Sequence, residues 1–151
     1  MIGIGEYRVG SFRMAPIGLG SCIGLTFYDP EGKTGAMVHI MLPESSGRTD
    51  RPGKYADTAI PLLISELTAN GSKKNYLIAK MAGGATMFEA FSASMNIGQR
   101  NIDKVKSLLA EHNIRLAADE TGGKMGRSVY FVPQENGRMT VRLANGSSKD
   151  I

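Results

Sequence analysis

Cys22-Ile-Gly-Leu-Thr-Phe-Tyr-Asp-Pro-Glu-Gly-Lys-Thr-Gly-Ala-Met-Val-His39 reads as two strands joined by a turn. Ile23–Tyr28 and Gly35–Met41 are rich in β-branched, aromatic and other apolar residues. Between them, Asp29-Pro-Glu-Gly32 carries Pro at the second and Gly at the fourth position, the preferences of a type I turn. With Tyr28 paired to Lys33, the register sets Cys22 directly opposite His39, Cβ atoms about 4.5–5.5 Å apart. A slip of one residue would send the two side chains to opposite faces, so this hairpin decides whether the thiol meets an imidazole.

Further strand-like runs lie at Ile2–Val9, Tyr76–Met81, Ile114–Ala118, Ser128–Val132 and Met139–Leu143. Helical periodicity is clear twice. Tyr55, Ala59, Ile60, Leu63, Ile64 and Leu67 form one apolar face that Gly71 would stop, and Pro61 means that this helix either starts near Thr58 or kinks. The second helix reads Asn101 as N-cap, Ile102, Val105, Leu108 and Leu109 as core face, and Asn113 as stop. Thr86–Phe91 suggests a further helical turn or two. Many strands and few helices, not in strict alternation, predict an α+β fold with at least one antiparallel sheet.

The 151 residues, 42% of them hydrophobic, suit one domain spanning 1–151, with a frayed tail over 145–151. A net charge of +4 favours an acidic partner surface. The densest basic stretch, Arg48–Lys54, is interrupted by Asp50 and by breakers, and no aromatic-interleaved basic motif is present, which argues against nucleic acid. The chain opens without a basic-then-apolar leader and has no apolar run approaching the roughly 20 residues of a membrane span, so no membrane insertion is expected. A single cysteine cannot form an intrachain disulfide and fits a reducing cytoplasm.

That cysteine follows two glycines in Ile17-Gly-Leu-Gly-Ser-Cys-Ile-Gly24. Glycines let backbone N–H groups approach a ligand, which suits an oxyanion pocket built from Gly20, Ser21 and Cys22. A lone cysteine is by default an inert core thiol, and a lone histidine a hydrogen-bonded core imidazole; within reach of each other they become a nucleophile and its base. His112, near the end of the second helix, needs no more than a surface role. Gly18-Leu-Gly-Ser-Cys-Ile23 lacks the third glycine of a dinucleotide fingerprint, and one cysteine with two distant histidines has no zinc spacing, so neither cofactor nor metal is expected.

Six ordered blocks carry a family resemblance: Gly18–Cys22, Gly35–Pro43, Lys54–Ala59, Ala82–Phe88, Asn96–Asn101 and Glu120–Gly123. Together they resemble the chemoreceptor glutamine deamidases, CheD, from about Gly3 to Leu143. The resemblance implies a single-domain, three-layer fold with a mixed or antiparallel β-sandwich-like core flanked by helices, similar to the cysteine deamidases of the cytotoxic necrotizing factor type. It implies a monomeric, cytoplasmic, cysteine-dependent amidohydrolase that converts receptor glutamines to glutamate with Cys22 and His39. It also implies a second partner, a CheC-type phosphatase, which leaves a binding module open as the alternative to an enzyme. The family's third catalytic residue, a threonine six positions before the cysteine, is replaced by Pro16, so the imidazole needs another orienter: the Pro16 carbonyl, Ser11 or Thr49. Gly83, Gly84, Arg100, Asn101 and Thr121 are implied to shape a partner groove, against plain turn chemistry for the glycines and a helix cap for Asn101.

Overall fold

The two strands of the hairpin are buried along almost their whole length, and a strand buried on both faces must be covered by two different layers. The computed structural model, which describes residues 1–86 and 96–151, supplies both. Its elements in chain order are β1 (Tyr7–Gly10), β2 (Met14–Leu19), β3 (Ile23–Asp29), β4 (Thr34–Ile40), α1 (Ala56–Ala69), β5 (Ile78–Gly83), α2 (Ile97–Glu111), β6 (Arg115–Thr121), β7 (Arg127–Val132), β8 (Arg138–Leu143) and β9 (Ser148–Asp150). One sheet runs β1-β4-β3-β5-β6, antiparallel except for the β5–β6 pair, and the other runs β2-β7-β8-β9, antiparallel throughout. Ile23, Leu25 and Phe27 of β3 pack with Ile60, Leu63, Val105 and Leu109 of the helices. Tyr28 and Met37 face the other way, onto Ile17, Val129 and Phe131 of the second sheet. The fold is therefore α+β, a single domain of helices, mixed sheet and antiparallel sheet.

The hairpin register differs from the predicted one by two residues. Asp29 pairs with Thr34 and Gly24 with His39, so the loop is Pro30–Lys33. The Asp29 carboxylate accepts from the Glu31 N–H at 3.0 Å and from the distant Ser72 Oγ at 2.7 Å, which starts the turn one residue late, and Lys33 completes it at φ +50°. A shift of two keeps side-chain parity. Cys22 lies just before β3, one same-face step beyond Gly24, and so falls diagonal to His39 rather than opposite it.

Three other expectations are corrected. β2 was not expected as a strand, because Pro16 breaks its pattern; it is accommodated where the β2–β7 register shifts between Met14 and Ile17. The tail is not frayed: β9 pairs with β8, and Ile151 exchanges backbone hydrogen bonds with Met139. The N-cap of α2 is Asn96, whose side chain accepts from the Gln99 N–H at 3.0 Å, so Asn101 is an interior helical residue. Pro61 also sits inside α1, on its exposed side, where water can satisfy the carbonyl that it leaves free. Gly71 and Asn113 do end their helices, each with positive φ and with the next N–H reaching back to Leu67 or Leu109. The expected helical turn after Thr86 lies outside the described residues.

Candidate active site

His39 is 6% exposed, on the face of β4 turned to the second sheet. Loop residues 2–6 wrap around it: the Gly5 N–H donates to the His39 carbonyl at 2.8 Å, the His39 N–H donates to the Glu6 carbonyl at 3.1 Å, and His39 Nδ1 lies 3.1 Å from the Ile2 carbonyl oxygen. A carbonyl can only accept, so Nδ1 carries the proton and Nε2 keeps its lone pair. The orienter is thus the Ile2 carbonyl and not one of the three candidates. Pro16 stands one bond behind it, its carbonyl accepting from the Ile2 N–H at 2.9 Å. Ser11 follows Gly10, which pairs with Gly35, so it lies at the far end of β4 from His39. Thr49 is exposed in the loop after β4. Residues 2–6 had been read as the start of a strand, and nothing in Ile2-Gly-Ile-Gly-Glu6 announces a carbonyl aimed at a histidine 37 residues on.

The Cys22 segment is held by its carbonyls. Gly20 O accepts from the Ala85 N–H at 2.9 Å, Ser21 O from Asn101 Nδ2 at 3.0 Å, and Cys22 O from the Gly84 N–H at 2.9 Å. With three successive carbonyls turned onto α2 and the segment just after β5, the Ser21 and Cys22 N–H groups have no protein acceptor among the described residues. That is the arrangement an oxyanion pocket needs. Gly83 permits it, since a Cβ there would lie 2.1 Å from the Cys22 carbonyl, and its φ is +108°. Gly98, at the start of α2, lies against the Gly84 and Ala85 carbonyls, where a Cβ would come within 2.6 Å of both.

Burial pushes the half-buried Cys22 thiol up from its ordinary range and draws His39 down, the Ile2 hydrogen bond and the Glu6 charge only partly opposing the latter. Both shifts act against charge on either group, and so against a thiolate–imidazolium pair in the free protein. Among the described residues, Cys22 Sγ and His39 Nε2 make no hydrogen bond, with each other or elsewhere.

Of the residues expected at a partner groove, Gly83, Gly84 and Asn101 lie against the Cys22 segment, and Thr121 pairs with Gly83 across the parallel β5–β6 ladder, its hydroxyl donating to Asp119 at the surface. Arg100 is exposed and lines a shallow groove of about 270 Å³ with Pro43, Glu44, Asp103, Lys104 and Ser107. Arg127, passed over in the sequence, is buried and donates to the carbonyls of Glu120, Gly122 and Met125, fixing the turn whose Gly122 N–H reaches Gly83 O. Among the described residues no group of His, Cys, Asp and Glu is placed to hold a metal ion, and no helix is long and apolar enough to cross a membrane.

A two-sheet α+β domain with a cysteine and a histidine at one end of its central hairpin is the frame in which the comparisons fall. Residues 41–143 match the family model described as CheD chemotactic sensory transduction. The chain is 48% identical over 151 residues to the chemoreceptor glutamine deamidase CheD of Thermotoga maritima, covering 99% of this chain and 94% of that one. It is 46% identical over 139 residues to the protein of the same name from Halalkalibacterium halodurans (89% and 85%), and 40% identical over 148 residues to a probable one from Archaeoglobus fulgidus (97% and 94%). This chain belongs to the CheD family. The family match begins after both Cys22 and His39, so the site rests on the geometry above.

Proposed function

We propose that this chain deamidates glutamine side chains of chemoreceptors to glutamate, with Cys22 as nucleophile and His39 as base. The observation that carries the reading is the His39 tautomer: with Nδ1–H held by the Ile2 carbonyl, Nε2 is the nitrogen free to take the thiol proton. Loss of the family's threonine at Pro16 then removes no orienter, which favours an enzyme over a binding module.

Because burial favours both neutral forms, the thiolate is made when substrate is present. Closure of the Cys22–His39 gap lets Nε2 accept the Sγ proton as sulfur attacks the carboxamide carbon. The oxyanion takes N–H donors from Ser21 and Cys22, at the segment begun by Gly20. Collapse breaks the C–N bond, His39 returns its proton to the departing nitrogen, and ammonia leaves a thioester. Water then adds to the thioester carbon and gives a proton to His39, and the C–S bond breaks to release glutamate and restore the thiol.

A receptor helix as substrate accords with the +4 charge, since an acidic helical surface would be steered to it. Arg100 and Lys104, beside Glu44 on the outer face of α2, are the groups we assign to that approach. We further assign the reaction to the cytoplasm, infer a CheC-type phosphatase as second partner, and infer kinship with toxin deamidases; these rest on family resemblance. Mass spectrometry of a receptor signalling fragment tests the central reading. Conversion of glutamine to glutamate, a gain of about 1 Da per site, is expected with wild type and not with Cys22→Ala. A silent wild type that still binds receptor would establish the binding module instead.

A further inference from the structure

Asn101 is a polar side chain on the buried face of α2, fully buried beside Ile102 and Val105. Burying a carboxamide there costs free energy unless it is hydrogen-bonded. Only its donor half is: Nδ2 gives one hydrogen bond to the Ser21 carbonyl and one to the Met41 carbonyl, both at 3.0 Å, while Oδ1 finds no partner among the described residues. Ser21 immediately precedes Cys22, and Met41 follows His39 by two residues. The helix lies on the opposite face of the sheet from the thiol and the imidazole, so the carboxamide reaches around the strand ends and joins the two backbone segments from behind.

We propose that Asn101 is a positioning residue, whose two N–H groups fix the separation of Cys22 from His39 by holding the backbone beside each. An –NH₂ between two carbonyls does what a hydroxyl, with one proton, or a carboxylate, with none, cannot do. Gly98 matters here as well, because its contact with Gly84 and Ala85 lets α2 come close enough for so short a side chain to reach. The consequence is catalytic, because proton transfer from thiol to imidazole depends steeply on the distance and direction at which the two are held. The inference rests on the Cys22–His39 reading.

The experiment compares wild type, Asn101→Asp, Asn101→Ala, Val105→Ala and Cys22→Ala. The readouts are kcat and KM for receptor-fragment deamidation, the pH profile of Cys22 alkylation by iodoacetamide, and the thermal midpoint. Both Asn101 variants are expected to lose about 10- to 100-fold in kcat with KM nearly unchanged, as displacement of a reacting group by an ångström does. Their alkylation should need higher pH than in wild type, because a displaced His39 no longer accepts the thiol proton as sulfur attacks the reagent. Val105→Ala, a packing loss on the same helix, should lower the thermal midpoint and leave kcat and the alkylation profile as in wild type. If Asn101→Ala does not fold, the isosteric Asn101→Asp decides. A folded Asn101→Asp with wild-type kcat and alkylation profile overturns the proposal, as does a Val105→Ala that loses kcat in proportion to its stability. Deamidation that survives Cys22→Ala overturns the Cys22 reading and this one with it; wild-type-like Asn101 variants beside a dead Cys22→Ala overturn this one alone.

Discussion

The two ends of the β3–β4 hairpin use polar groups in opposite ways. At the turn end Asp29 is 4% exposed, and each of its carboxylate oxygens has a donor, the Ser72 hydroxyl on Oδ2 and the Glu31 N–H on Oδ1. It lines an open groove of about 730 Å³ with Ser11, Glu31 and Asn70. At the other end the imidazole has one nitrogen held and one without a partner among the described residues, as has the thiol, and burial disfavours charge on both. A satisfied buried group shapes the chain; a half-satisfied one has bonding capacity left for a substrate.

The strongest way to break that contrast is to remove the free nitrogen. His39→Gln is expected to reduce deamidation by about 10²–10⁴-fold, the usual worth of a general base. Alkylation of Cys22 in that variant should require pH above the ordinary thiol range, because burial raises the thiol and nothing remains to take its proton. Iodoacetamide labelling across pH checks both; neutral-pH labelling as fast as in wild type would show that His39 is not the base.

Next comes the bed of the site. Gly83→Ala sets a Cβ against the Cys22 carbonyl at a φ that L side chains rarely adopt. The cost is expected to be about 1–3 kcal/mol, together with a loss of activity larger than that destabilisation explains. Urea unfolding beside the receptor assay separates the two effects, and wild-type kcat in a folded Gly83→Ala would show that the Cys22 segment tolerates displacement.

At the turn end, Ser72→Ala should cost about 1.5–3 kcal/mol, the range for a hydrogen bond to a charged group, with kcat unchanged. A fall in kcat there would mean that the two ends are coupled through the ladder.

The smallest effect is on the pH dependence of stability. Burial lowers the folded pKa of His39 below its unfolded value near 6.5, so between the two the unfolded chain binds more protons. Stability contributed by His39 is therefore complete above about pH 7 and is lost as pH falls from about 6.5 through the folded value, at no more than about 1.4 kcal/mol per pH unit. His39→Gln should flatten that slope in chemical unfolding. An unchanged slope would assign it to other groups.

Local signals were reliable where the physics is local. The two helices were announced by apolar faces at 3.6-residue spacing, and their ends by Gly71 and Asn113, whose positive φ follows from residue type. The hairpin was announced by its apolar runs and by Asp29-Pro-Glu-Gly32, but its register was not: Asp29 begins the turn late because Ser72, 43 residues away, binds its carboxylate. β2 stayed hidden because proline and glycine weaken a strand pattern that only pairing with β7 restores. Asn101 was read as a cap because the cap that competes for the role, Asn96, reveals itself only once its side chain bonds the Gln99 N–H.

The sequence by itself determined the α+β class, the lone thiol, the family, and the fact that Cys22 and His39 flank one hairpin. Composition, periodicity and ordered motifs are properties of the chain, and they survive any error of register that preserves parity. Only the tertiary structure decided that the Ile2 carbonyl, not Pro16, Ser11 or Thr49, holds the imidazole, and that Gly83, Gly84 and Asn101 support the Cys22 segment. Those roles belong to backbone carbonyls and to a carboxamide brought together across 37 to 80 positions of chain, and a backbone carbonyl is the same in every residue, so no pattern of side chains records where it will point.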